Sequence, residues 1–172
     1  MTDDDSSYDA SVLKDIRGPV AAVHTPFDEN GSLWTKVIPA YAAHLRGSGI
    51  GAVYVCGSTG ESLALSVAER RAILEAWKSV SGDDLRVIAH VGSNAMPDCL
   101  ELARHADSIG VDGISAMNPT FGRAADVGAL VAHHAQIAEA GGGRPYLIYE
   151  ISAFGGVAFP ASEVVATSLG RV

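Results

Sequence analysis

The sequence predicts an α/β protein built on a parallel sheet, and three observations carry the prediction. Five short apolar runs are nearly continuous rather than alternating, as in strands buried on both faces. Amphipathic stretches of helical period separate them. Strand plus helix recurs about every thirty residues, the length of a βαβ unit. Two architectures share this alternation: an open, doubly wound sheet of the flavodoxin type, complete with five strands, and a (β/α)8 TIM barrel, of which five βα units are a part. In both, ligands bind at the carboxyl ends of the strands, so the strand tips are where function is sought.

The elements follow in order. Residues 1–17 form an acidic, Ser-rich lead-in, expected to be disordered to about Val12, and residues 18–172 form the folded domain. The strands are expected over Pro19–His24, Gly51–Cys56, Leu85–Val91, Asp112–Met117 and Pro145–Ile151. The helices are expected over Thr35–Ser48, Ser66–Gly82, Pro97–Ile109, Ala124–Ala140 and Pro160–Leu169. The second helix has the strongest signals. Ser66 as N-cap and Glu69 three residues on make a capping box, and Ala72, Ile73, Ala76, Trp77 and Val80 form its apolar stripe. Pro97 suits a first helical turn.

Composition narrows the function classes. At 172 residues and 48% hydrophobic, the chain is long enough for one domain that buries roughly 70% of its unfolded surface. A net charge of -8 without a Lys/Arg cluster argues against a nucleic-acid partner. No apolar run approaches the roughly 20 residues of a membrane span, and "MTDDDSSYD" is not a basic leader, so no membrane partner and a cytoplasmic location are expected. Cys56 and Cys99 have no zinc or redox spacing and are read as packed core in a reducing compartment. No cofactor or metal is expected.

The tip "CGSTGE" holds the most informative chemistry. Ser58 and Thr59 offer hydroxyl donors, while Gly57 and Gly60 allow close backbone approach, a compact arrangement for an anion. It lacks the Lys-Ser/Thr ending of a P-loop, and Cys56 stands where a nucleophile elbow needs glycine. A turn whose Ser and Thr cap their own backbone fits equally well. Tyr149, near the end of the fifth strand, is a candidate proton donor or a structural tyrosine. Glu150 points to the other face as an outward partner. His24 and His90 end strands as satisfied polar groups, and His133 and His134 are expected to face solvent from a helix.

Together the motifs resemble the N-acetylneuraminate lyase and dihydrodipicolinate synthase family of pyruvate-dependent aldolases. "AAVHTPFDENGSL", "GSTGE", "ERRAIL", "AHVGS", "HADSIGVDGISAMNP" and "YEISAFGGV" occur in the family's order, from about Gly18 onward. The resemblance implies a (β/α)8 barrel, a homo-oligomer, commonly tetrameric, and a pyruvate or related 2-keto acid as small-molecule substrate. It implies that Ser58 and Thr59 hold the pyruvate carboxylate and that Tyr149 is the catalytic proton shuttle. A serine in the loop's first hydroxyl position and "GISAMNP" are more similar to the neuraminate-lyase branch.

The resemblance also has departures. The family's Schiff-base lysine, at the tip of the sixth strand, is expected just beyond Val172. The lysines present are Lys14, Lys36 and Lys78, none at a predicted tip. Phe121 supplies a ring but no hydroxyl where the family has a relay tyrosine, Ser152 replaces a proline, and Gly155 replaces Thr/Ser. Five strands of a barrel leave the first and fifth edges unpaired, so the chain is expected to aggregate, self-associate or collapse towards an open sheet. Residues 1–172 are predicted to show no adduct with pyruvate and borohydride. A mass increase on one of these lysines, together with turnover, would overturn that.

Overall fold

Apolar, largely β-branched runs favour extended backbone, and each is followed by an amphipathic helix that covers one face of the sheet they form. The computed structural model describes residues 11–14, 16–151, 159–169, 171 and 172. Its strands are β1 (Val20–Ala22), β2 (Ala52–Val55), β3 (Arg86–His90), β4 (Gly113–Met117) and β5 (Tyr146–Tyr149). Its helices are α1 (Ser11–Lys14), α2 (Ile38–Gly47), α3 (Val67–Ser79), α4 (Met96–Ser108), α5 (Val127–Ala140) and α6 (Ala161–Ser168). A 3-10 turn, Thr35–Val37, leads into α2.

All adjacent strands are parallel and the sheet order is β1-β2-β3-β4-β5. That order decides between the two expected architectures. Parallel crossovers are right-handed, so a chain that always steps to the next strand in the same direction lays every crossover helix on one face. A doubly wound sheet reverses direction partway and covers both faces. Here α2 to α6 pack in sequence, each against the next, as in one arc of a (β/α)8 barrel. The sheet keeps the sequential order and does not rearrange into the doubly wound topology. Among the described residues, β1 and β5 each pair on one side only.

The core lies between sheet and helices. Val53, Val55, Val87, Ala89, Ile114 and Ala116 meet Ile73, Trp77, Leu102 and Ile137, all essentially shut off from solvent. Each large apolar side chain contributes about 1.5–3 kcal/mol there. Registered pairs place Tyr54 with Ile88, His90 with Ser115, and Met117 with Tyr149 on the opposite, concave face. Tyr54 donates from its hydroxyl to Ser115 Oγ at 2.8 Å, and Ser115 Oγ donates to the Leu147 carbonyl at 2.8 Å.

The α3 capping box forms: Glu69 N donates to Ser66 Oγ at 3.3 Å, and Ser66 N donates to Glu69 Oε2 at 2.8 Å. The buried stripe of α3 is Arg70, Ile73, Leu74 and Trp77, with Ala76 and Val80 packed at its edge; of the predicted stripe only Ala72 is exposed, and the buried face also includes a cation. Two further expectations are corrected or placed. His134 does not face solvent: it is fully buried, because Leu130, Val131, His134, Ile137 and Ala138 share the inward face of α5. Helix α1 falls inside the expected lead-in, with Leu13 packed where a Cβ on Gly113 would touch it. Residues 1–10, Ser152 and Gly155 lie outside the described residues. No helix among the described residues is long and apolar enough to cross a membrane.

Two glycines seat the entry to β1 against β2. A Cβ on Gly51 would lie 1.7 Å from the Arg17 carbonyl oxygen, and one on Gly18, whose φ is +81°, would lie 2.3 Å from the Gly49 oxygen. Overpacking of this kind costs about 1–3 kcal/mol. Gly51→Ala is therefore expected to lower the unfolding free energy by an amount of that order, read as a lower urea midpoint at unchanged slope; an unchanged midpoint would show that the Arg17 segment moves away freely.

Candidate functional site

The Gly57–Gly60 loop leaves β2 through a left-handed residue, Cys56 at φ +57°, and ends at another, Glu61 at φ +58°. Non-glycine residues in that region carry strain that surrounding structure must hold in place. The two glycines are required by crowding. A Cβ on Gly57 would come within 2.6 Å of the Tyr54 ring, and one on Gly60 within 3.1 Å of Cys56 Cα and the Val23 carbonyl oxygen. Thr25 Oγ1 donates to the Gly60 carbonyl at 2.7 Å, tying the loop to the chain leaving β1.

The hydroxyl of Ser58 lies 3.2 Å from Tyr149 Oη, joining residues 91 positions apart in sequence. Its hydrogen-bond partner is thus a side chain at another strand tip rather than its own backbone. Thr59 is half-buried in the same turn. The Tyr149 ring stands edge-on to Tyr54 at 5.4 Å and to His90 at 6.1 Å. Beside Ser58 opens a cleft of about 490 Å³ lined by Glu61, Ser62, Leu63, Met117 and Thr120. The β4 loop on its far side is pinned by Asn94, whose Oδ1 accepts from Thr120 N at 3.0 Å, Thr120 Oγ1 at 2.9 Å and Phe121 N at 3.1 Å. Phe121 itself is 82% exposed.

His90 is the bracket beneath the loop. Its Nδ1–H donates to the Cys56 carbonyl at 2.8 Å, and its Nε2 accepts from Met117 N at 3.1 Å, so one imidazole holds the tips of β2, β3 and β4 together. Both bonds require the neutral ring. Burial, reinforced by the nearby Arg70 cation, lowers its pKa to about 3. His24, by contrast, is exposed.

A second bracket ties β4 to β5. Tyr146 donates from its hydroxyl to His134 Nδ1 at 2.8 Å, and His134 Nε2–H donates to Asn118 Oδ1 at 2.8 Å. Asn118 Nδ2 in turn donates to the Glu150 carboxylate, so the outward partner of Glu150 is an amide. Burial first, then the neighbouring His133, lowers the His134 pKa to about 3 as well.

Arg70 was absent from the sequence-derived candidates. It is 4% exposed on α3 and donates from Nη1 to the Gly92 carbonyl at 2.9 Å and from Nη2 to the His90 carbonyl at 2.8 Å. Its signal was positional: it precedes Ile73, Leu74 and Trp77 at helical spacing, on the buried stripe. The lysines lie on elements other than the strands. Lys14 is on α1, Lys36 is in the 3-10 turn, and Lys78, at the end of α3, lies 3.8 Å from Asp112, which precedes β4 at the amino-terminal side of the sheet.

Known proteins share this arrangement. Residues 15–167 match the model of the dihydrodipicolinate synthetase family. Human N-acetylneuraminate lyase is 37% identical over 161 residues, covering 92% of this chain and 50% of the relative. The solved N-acetylneuraminate lyase (sialic acid aldolase) of Aliivibrio salmonicida superposes with a TM-score of 0.87 at 36% identity, covering 91% of this chain and 52% of that one. A dihydrodipicolinate synthase from Cyanidioschyzon merolae superposes with a TM-score of 0.81 at 29% identity, covering 88% and 51%. The chain spans about half the length of the relatives it matches.

The two neutral histidines make stability depend on pH. Between the unfolded value of 6.5 and about 3 the unfolded chain binds more protons, so stability is complete above pH 6.5 and falls on acidification. Each histidine is expected to remove about 2 kcal/mol between pH 7 and 5. Urea unfolding at the two pH values tests this, with His134→Gln expected to reduce the difference; equal stability at pH 5 and 7 would contradict it.

Proposed function

Because the chain belongs to the dihydrodipicolinate synthetase family, we propose that it carries the 2-keto-acid half of a pyruvate-dependent aldolase site. The single observation behind this reading is the 3.2 Å approach of Ser58 Oγ to Tyr149 Oη at the rim, beside an open cleft. Ser58 and Thr59 hold the pyruvate carboxylate with charge-assisted hydrogen bonds. Tyr149, touching Ser58, is placed to pass a proton to or from the reacting carbon region. The partner substrate is a sialic acid or a related 2-keto acid, as the names of the relatives suggest.

In the family reaction, the amine of a lysine condenses with the keto carbon and releases water. The resulting iminium accepts the electron pair of the carbon–carbon bond being cleaved and becomes an enamine, which then takes up a proton; in the bond-forming direction the iminium first loses that proton, and the enamine supplies the pair. Lys14, Lys36 and Lys78 lie on α1, in the 3-10 turn and on α3, none of them at the end of a strand. This chain therefore supplies recognition and proton transfer, and the covalent step needs a lysine from the family's sixth strand. Taken by itself, it is a non-catalytic 2-keto-acid binding module, the reading favoured by the placement of those lysines. Assembly as a homo-oligomer in the cytoplasm completes the proposal.

Calorimetric titration with pyruvate is the test. The wild type is expected to show a saturable heat, and Ser58→Ala and Thr59→Ala each to weaken it roughly tenfold or more, the loss of one hydrogen bond to a charged acceptor. Heats unchanged in both variants would remove the carboxylate assignment.

A further inference from the structure

We infer that Arg70, buried beneath the Gly57–Gly60 loop without a carboxylate partner, is a specificity determinant that makes this loop prefer a carboxylate over a neutral ligand of the same shape. The inference rests on the carboxylate reading of Ser58 and Thr59 and adds a second source of charge selectivity, a full positive charge, to that of the two hydroxyls.

A buried guanidinium is costly unless something negative faces it. None of the ion pairs among the described residues includes Arg70. Its Nη atoms donate to the carbonyls of His90 and Gly92, Nη2 also lies 3.5 Å from His90 Nδ1, and Nε is buried with no hydrogen-bond partner. The Cys56 thiol is beside it, and among the neighbouring titratable groups none forms an ion pair with it. Burial raises the Cys56 thiol to about 11 and raises Cys99 too, so neither is a thiolate counter-ion. His90 is a neutral donor to Cys56. Asp98 acts through space only, held by Ser93 Oγ at 3.4 Å.

The cation is also close to the loop. Nη2 lies 3.5 Å from His90 Nδ1, which is 2.8 Å from the carbonyl of Cys56, the residue that opens the loop. Ser58 follows two residues later, at most about 7 Å of chain. At such separations, with the intervening path buried, a full charge changes the affinity of a monoanion by roughly tenfold. Hydroxyl donors alone favour a carboxylate oxygen over an amide oxygen only by the extra strength of a charge-assisted hydrogen bond. The buried charge widens that preference, and its position under the loop shields it from salt.

Pyruvate and its neutral amide, pyruvamide, are the probes, titrated into the whole chain. The wild type is expected to bind pyruvate more tightly than pyruvamide. Arg70→Gln should weaken pyruvate about tenfold and leave pyruvamide within about twofold, and Arg70→Lys should restore most of the preference. Equal losses for both ligands would assign Arg70 a purely structural role and overturn the inference, as would no change for either. A salt series on the wild type needs no variant to fold. Pyruvate affinity should hold within about twofold between about 50 and 500 mM NaCl, whereas a steep fall would place the selecting charge at the surface. If the wild type binds neither probe, or if Ser58→Ala and Thr59→Ala leave pyruvate binding intact, the carboxylate reading itself fails. A wild type that binds pyruvate through those hydroxyls without regard to Arg70 sinks the inference alone.

Discussion

Everything at the rim depends on one geometric constraint: each right-handed crossover advances the sheet by one strand in the same direction. Helices α2 to α6 are thereby confined to one face, and the carboxyl ends of all five strands open on one side. The other face is left to curve inward and bring together side chains from strands far apart in sequence. Tyr54, Ser115, His90 and Tyr149 meet there because the register aligns their strands, with the hydroxyl of Tyr54 on Ser115 and its ring against Tyr149.

A rim made of loops needs brackets, and this one uses buried neutral histidines. His90 satisfies a carbonyl from β2 and an amide from β4 with a single ring, so those tips cannot separate without orphaning two buried backbone groups. His134 does the same work one layer out, joining Tyr146 to Asn118 and through it to Glu150. These bonds help hold Cys56 and Glu61 in left-handed backbone and keep Ser58 within reach of Tyr149. Strain at the loop is sustained by the rigidity beneath it, the usual relation between a binding loop and its scaffold.

The same geometry leaves work undone at the edges. Among the described residues, β1 and β5 each pair on one side only, and Val20, on β1, is 44% exposed. Val165 and Leu169, on and just after α6, are 60% and 77% exposed. The relatives this chain matches are about twice as long.

The fold was legible because hydrophobic period is a local property. The five runs and the helical stripes placed every strand, and the helices α2 to α6, to within a few residues, and the Ser66/Glu69 box was readable from spacing alone. Ser58, Thr59 and Tyr149 were legible as strand-tip chemistry within an ordered set of motifs. What periodicity does not carry is the order of strands, since it is identical for a doubly wound sheet and a barrel arc; the ordered family motifs implied the barrel, and strand pairing has its order. Nor does residue type reveal that Arg70 and His134 are buried, because a charged or polar residue on a stripe is expected to face water until tertiary partners satisfy it. The sequence by itself determined the elements and the chemistry available at their tips. Tertiary structure decided which of those groups touch, because the Ser58–Tyr149 approach spans 91 residues and exists only through the register and curvature of the sheet.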